Sequence, residues 1–87
     1  MFYVYVLWSE SNGSWYIGYS TDTAKRLKKH KEGGNVSTKY GRPWRLIYFE
    51  AYVNKNDALG REKFLKSGSG YKYLRKQMKH FLMCIYF

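Results

Sequence analysis

The sequence predicts an α+β domain: a small three-stranded antiparallel sheet flanked by helices, in the order ββαβα plus a C-terminal helix. Two observations carry this. "FYVYVLW" (2–8) is an unbroken apolar and aromatic run, followed by "SESNGS" and a second aromatic run, "WYIGYS" (15–20); Asn12-Gly13 between them is a strong short-range hairpin signal. Toward the end of the chain, Leu74, Met78, Phe81, Leu82 and Ile85 recur at helical spacing. At 87 residues the chain is sized for one domain with one core, spanning 1–87, with 70–87 as the C-terminal helix.

A hairpin loop centred on Asn12-Gly13 places Glu10 opposite Trp15, Trp8 opposite Ile17, Leu7 opposite Gly18 and Tyr5 opposite Ser20. Because strand side chains alternate, Tyr3, Tyr5 and Leu7 then share a face with Tyr16, Gly18 and Ser20. Val4, Val6 and Trp8 share the other face with Ile17 and Tyr19. A glycine inside a strand packs nothing and often marks a close approach by a ligand or another backbone. Gly18 is such a glycine, and Tyr5 and Tyr16 beside it bound a shallow depression with two hydroxyls.

A helix follows over 21–30, "TDTAKRLKKH", capped by Thr21 or Asp22 and ended by "KEGG". It turns Ala24 and Leu27 inward and Lys25, Lys28 and Lys29 toward water or an anion; Arg26 and His30 lie one turn apart on one side. "GGNVSTKYGRP" (33–43) reads as a long surface connection, and connections of that length are often functional. "WRLIYFEAY" (44–52) is a third strand, and 54–68 a second helix with Asn54 and Asp57 in capping-box-like positions. The "SGSG" stretch breaks it from the last helix.

Sixteen Lys and Arg against six Asp and Glu give a formal charge of +10, and aromatics make up 21% of the chain. That charge calls for an anionic partner, and the abundance of rings favours nucleic acid, whose bases they can stack on, over a membrane surface. The single cysteine, Cys84, has no intrachain disulfide partner, no stretch is long and apolar enough to span a membrane, and the N-terminus lacks a basic leader pattern. A cytoplasmic protein is expected.

Glu62 is out of place in the helical pattern. It falls on one stripe with Ala58, Leu59 and Leu65, where an apolar side chain is expected. A buried carboxylate needs a counter-charge, a metal or a route to solvent. Arg26, His30 and a divalent cation are candidates; so is a surface pairing with Arg61 or Lys66 at the edge of the stripe.

Taken together, "YVY" (3–5), "YIG" (16–18), "KRLKKH" and "ALGREKFLK" resemble the GIY-YIG nuclease family over most of the chain, and specifically its small stand-alone bacterial members. The first tripeptide carries Tyr3 where the family name has Gly, and no Asn follows Asn56. The resemblance implies phosphodiester hydrolysis assisted by one divalent cation, Mg²⁺ or Mn²⁺, with Tyr5, Tyr16, Arg26, His30 and Glu62 as catalytic residues and Glu62 as the metal ligand. In that reading Arg26, a planar permanent cation, grips the scissile phosphate. Tyr5 takes a proton from water only where a nearby cation draws its phenol well below ~10, and His30 is the more natural base on ordinary acidity, so the immediate base stays open between them.

Gly18, Lys25, Lys28, Lys29, Lys39 and Arg42, with Lys31 and Arg45, are the expected nucleic-acid contacts, giving salt-sensitive and largely sequence-blind binding. DNA is favoured over RNA, in repair or turnover. With no module left for sequence readout, either nucleic-acid shape or a separate targeting protein selects the substrate. The alternative is a non-catalytic binding module of the same fold. A monomer is favoured, and "FLMCIYF" (81–87) leaves a dimer through an apolar C-terminal face open.

Overall fold

The computed structural model describes residues 1–22 and 41–86. Residues 23–30 of the helix expected over 21–30, and most of the 33–43 connection, lie outside them. With them go Lys25, Arg26, Lys28, Lys29, His30, Lys31 and Lys39. Strands β1 (Phe2–Ser9), β2 (Trp15–Ser20) and β3 (Trp44–Tyr52) form one antiparallel sheet in the order β2-β1-β3, followed by α1 (Lys55–Lys66), α2 (Gly68–Gln77) and α3 (Lys79–Tyr86). Among the described residues no helix is long and apolar enough to cross a membrane.

The hairpin register differs from expectation by two residues: Tyr5 faces Gly18, Leu7 faces Tyr16 and Trp8 faces Trp15. The loop is centred one residue earlier than Asn12-Gly13. Ser9 and Ser14 close it, with Gly13 N–H donating to the Ser9 carbonyl at 2.8 Å. Gly13 is its last residue, at φ 77, a conformation that glycine adopts without penalty. A shift of two leaves every side chain on its expected face.

Val4, Val6 and Ile17 pack under α1 and α2 with Ala58, Leu65 and Leu74. On the other face Tyr5, Leu7 and Trp44 form a second cluster with Tyr16 and Leu46. A β-bulge makes this division possible. β3 pairs Tyr48 with Val6 but Leu46 with Leu7, so Ile47 is an extra residue. Alternation therefore reverses there: Trp44 and Leu46 join the tyrosine face, while Tyr48, Glu50 and Tyr52 join the helix face.

Glu50 ties α1 to the sheet. It accepts hydrogen bonds from the Tyr48 and Tyr52 hydroxyls, both at 2.5 Å, and from Arg61 Nε at 2.9 Å and Nη2 at 3.0 Å. Burial alone would raise its carboxyl, but the bonds from Arg61, Tyr48 and Tyr52 outweigh it and hold the group below the ordinary carboxylate value. Burial and the bond to Glu50 push the Tyr52 phenol up to about 12.

Stability should follow these shifts at both ends of the pH scale. Glu50 binds its proton less tightly in the folded chain, so its contribution is present above its ordinary value of 4.5 and is lost as pH falls through the lower folded value. Tyr52 binds its proton more tightly, so its contribution is complete below 10.0 and is lost on the way to about 12. In urea titrations across these ranges, Glu50→Gln should flatten the acid limb and lower stability by about 1.5–3 kcal/mol, the cost of losing hydrogen bonds to a charged group. An acid limb unchanged in the variant would assign it to other carboxylates.

The expected "SGSG" break shrinks to one residue. Ser67 ends α1, its hydroxyl donating to the Phe64 carbonyl at 2.5 Å, and starts α2 by accepting from Gly70 N–H at 3.2 Å. The helix expected over 70–87 is in fact two, separated at Met78, whose φ −101 and ψ 27 depart from helical values while its N–H still reaches the Leu74 carbonyl. That turn brings Phe81 edge-on to Trp8 with ring centroids 5.9 Å apart, a tertiary contact that periodicity does not contain. Met83 and Cys84 on the same helix are exposed.

Candidate active site

The two strand tyrosines meet as the sequence suggested, by a different register. Tyr5 on β1 and Tyr16 on β2 are diagonal neighbours on one face, ring centroids 6.4 Å apart and tilted by 34°. Trp44 stands edge-on to Tyr16 at 6.4 Å, so the bulge in β3 supplies the third ring of the cluster. The described strands carry no carboxylate on this face, so they themselves set no negative charge against a phosphate.

The close approach at Gly18 comes from within the protein. A Cβ there would lie 2.4 Å from Cζ and from the hydroxyl oxygen of Tyr5. The expected depression is filled by the Tyr5 ring, and a ligand over this point meets Tyr5 rather than the Gly18 backbone. Gly18 thus packs against Tyr5, which occupies the space that a side chain at this position would need. Tyr5 is 2% exposed and Tyr16 half-buried.

Arg42 is exposed in the segment leading into β3. The hairpin loop pins that segment. The Ser9 hydroxyl, fully buried, donates to the Gly41 carbonyl at 2.6 Å, and Glu10 N–H donates to the Pro43 carbonyl at 3.0 Å. Arg42 is thereby held two residues from Trp44. Arg45, expected with it, pairs with Trp8 and projects from the opposite face, because it alternates with Trp44.

Glu62 takes the surface pairing foreseen as one alternative: its Oε2 is 3.4 Å from Lys66 Nζ, one turn on. Arg61, the other surface candidate, is committed to Glu50. The stripe is narrower than expected, since Ala58 and Leu65 are fully buried whereas Leu59 is 37% exposed. At 100° per residue, Arg61 and Glu62 flank the Ala58–Leu65 line on opposite sides. Arg61 reaches β3, so Glu62 lies on the flank turned away from β3. The Glu62 side chain is 20% exposed, and among the described residues no three His, Cys, Asp or Glu gather into a metal-binding cluster. A lone, accessible carboxylate suits a cation that keeps most of its water, as Mg²⁺ does, and would not suit a fully protein-coordinated ion.

A three-stranded antiparallel sheet with helices packed against it is shared with a solved structure. The solution structure of a UPF0213 protein from Bacillus halodurans superimposes with a TM-score of 0.54 at 37% identity, covering 88% of this chain and 85% of that one. UPF0213 proteins of Staphylococcus aureus strains Mu3 and N315 are 44% identical over 66 residues, 75% of this chain and 80% of theirs. The GIY-YIG catalytic domain matches residues 1–86. The chain belongs to the GIY-YIG family, a nuclease superfamily, as its tripeptides suggested.

Proposed function

We propose that the protein is a metal-dependent endonuclease that hydrolyses phosphodiester bonds in DNA, with structural or weak sequence preference, in repair or turnover. The observation that carries this reading is the Tyr5–Tyr16 pair, on a sheet face to which the described strands contribute no carboxylate, in a GIY-YIG domain. In this reading Arg26 grips the scissile phosphate and meets the charge that grows on it during in-line attack. Tyr16, the more accessible of the two phenols, orients the phosphate or the attacking water, and Tyr5, as its phenolate, or His30, as its neutral imidazole, takes the water proton as the new P–O bond forms and the P–O bond to the leaving oxygen breaks. Glu62 would hold a single Mg²⁺ or Mn²⁺, which when bound would stabilise negative charge on the phosphate and the leaving oxygen. Arg42 and the lysines between 25 and 39 bind the nucleic-acid backbone without reading sequence.

The test is cleavage of end-labelled single-stranded, duplex, flapped and branched DNA, and of matching RNA, with Mg²⁺, Mn²⁺ or chelator. Metal-dependent cutting by the wild type that Tyr5→Phe slows is the expected result, and the panel ranks the substrates. Binding without cutting under every condition would make the protein a nucleic-acid-binding module instead.

A further inference from the structure

Resting on the nucleic-acid reading above, we propose a second contact surface, on the outer side of α1 and α2, that takes a single-stranded segment by stacking an unpaired base on Tyr73. Between residues 61 and 79 the chain carries seven Lys and Arg against one carboxylate, Glu62. Three of the seven are used internally, Arg61 by Glu50, Lys66 by Glu62, and Arg75 by Tyr71, to whose hydroxyl it donates at 3.3 Å, and by Trp15, over whose ring it lies. Lys63, Lys72, Arg75, Lys76 and Lys79 have no carboxylate within ion-pair distance among the described residues.

Two large rings stand exposed among these charges: Phe64 at 41% and Tyr73 at 53%. Their centroids are 6.3 Å apart, and the Arg61 guanidinium sits 5.5 Å from one and 5.6 Å from the other. Because Glu50 fixes Arg61, the rings are anchored from behind while their outer surfaces stay open, so a base stacking there orders little that is not ordered already. Ser69, Lys72, Tyr73 and Lys76 follow the i, i+3, i+4, i+7 spacing of one helix face and, with Arg75, line an open groove. A ring bracketed by lysines on one such face is the combination that single-strand binders use, stacking for the base and cations for the backbone. A lipid surface fits less well, since an interfacial helix needs a broad apolar face and that of α2, Gly70 and Leu74, is fully occupied in the core. The surface lies on the β3 flank of α1, on the side of the sheet away from Tyr5 and Tyr16. A strand held there extends beyond the candidate active site.

Fluorescence anisotropy of a labelled single-stranded oligonucleotide and its duplex, with the full chain in chelator, tests the proposal. Tyr73→Ala should weaken single-strand binding roughly 5- to 100-fold and duplex binding much less, and Tyr73→Phe should restore it. Lys72→Ala combined with Lys76→Ala should lower the salt-dependence slope by ~1.4, about 0.7 per phosphate contact. Thermal melts of these surface variants should match the wild type. Wild-type binding that none of the substitutions alters would overturn this surface and leave the nuclease reading standing. No wild-type binding at all would overturn both. Loss of binding to phosphatidylserine vesicles, with oligonucleotide affinity unchanged, would reassign the patch to membranes.

Discussion

Glu62→Gln should lower cleavage by at least ~10²-fold, the scale on which removal of one preorganised electrostatic group acts, while leaving the fold and chelator-phase binding intact. The amide keeps the shape of the side chain and removes its charge, so the variant isolates the charge. Little structure depends on that charge. Its protein partner among the described residues is Lys66, itself half-exposed, and an i, i+4 helix pair is worth only about 0.3–0.5 kcal/mol. Lys66 supplies the internal control, because an ammonium 3.4 Å from the carboxylate competes with any cation for it. Lys66→Ala should therefore cut as well as the wild type or better, with half-saturating Mg²⁺ shifted to lower concentration. Equal cleavage by wild type and Glu62→Gln would remove Glu62 from the site. A higher Mg²⁺ requirement in Lys66→Ala would show that the ammonium assists the site instead of competing.

Much of this architecture was legible because strand parity is robust. The hairpin slipped by two residues, yet Tyr5, Tyr16 and Gly18 stayed on one face and Val4, Val6 and Ile17 on the other. Local patterns failed where a tertiary contact or one irregular residue decided the outcome. Ile47 reverses the alternation of β3, and nothing in "WRLIYFEAY" marks it as the bulged residue; its consequence is that Trp44 backs Tyr16 while Arg45 turns away. The interruption at Met78 carries no Gly or Pro, and its evident gain, Phe81 against Trp8, spans most of the chain. The helical pattern marks Glu62 as the anomalous carboxylate, but the more heavily bonded one is Glu50, hidden in an aromatic strand whose partner Arg61 lies eleven residues on.

The second large effect concerns the joint between α1 and α2, where two chemically identical substitutions should act in opposite directions. Gly60 and Gly70 both lie in helices, and alanine in a helix interior is intrinsically better than glycine by about 0.5–1 kcal/mol. At Gly60 a methyl group meets nothing within 4 Å, so Gly60→Ala should raise the melting temperature by roughly 3–6 °C, as expected for a domain of this size. At Gly70 the same methyl would lie 1.8 Å from the Phe64 carbonyl oxygen and 2.5 Å from its carbon. These are backbone atoms at the end of α1, and no rotamer change removes them. Relief requires α2 to draw away from α1, loosening Leu74 from Leu65 and disturbing the Ser67 hydroxyl that caps both helices. Overpacking of this kind costs about 1–3 kcal/mol, which outweighs the propensity gain and should lower the melting temperature by roughly 5–15 °C. The same displacement would disturb Phe64 and Tyr73, so Gly70→Ala should lose single-strand affinity together with stability, whereas Gly60→Ala should keep both. A melting temperature raised equally by the two substitutions would mean that α2 does not rest on α1 through the Gly70 backbone.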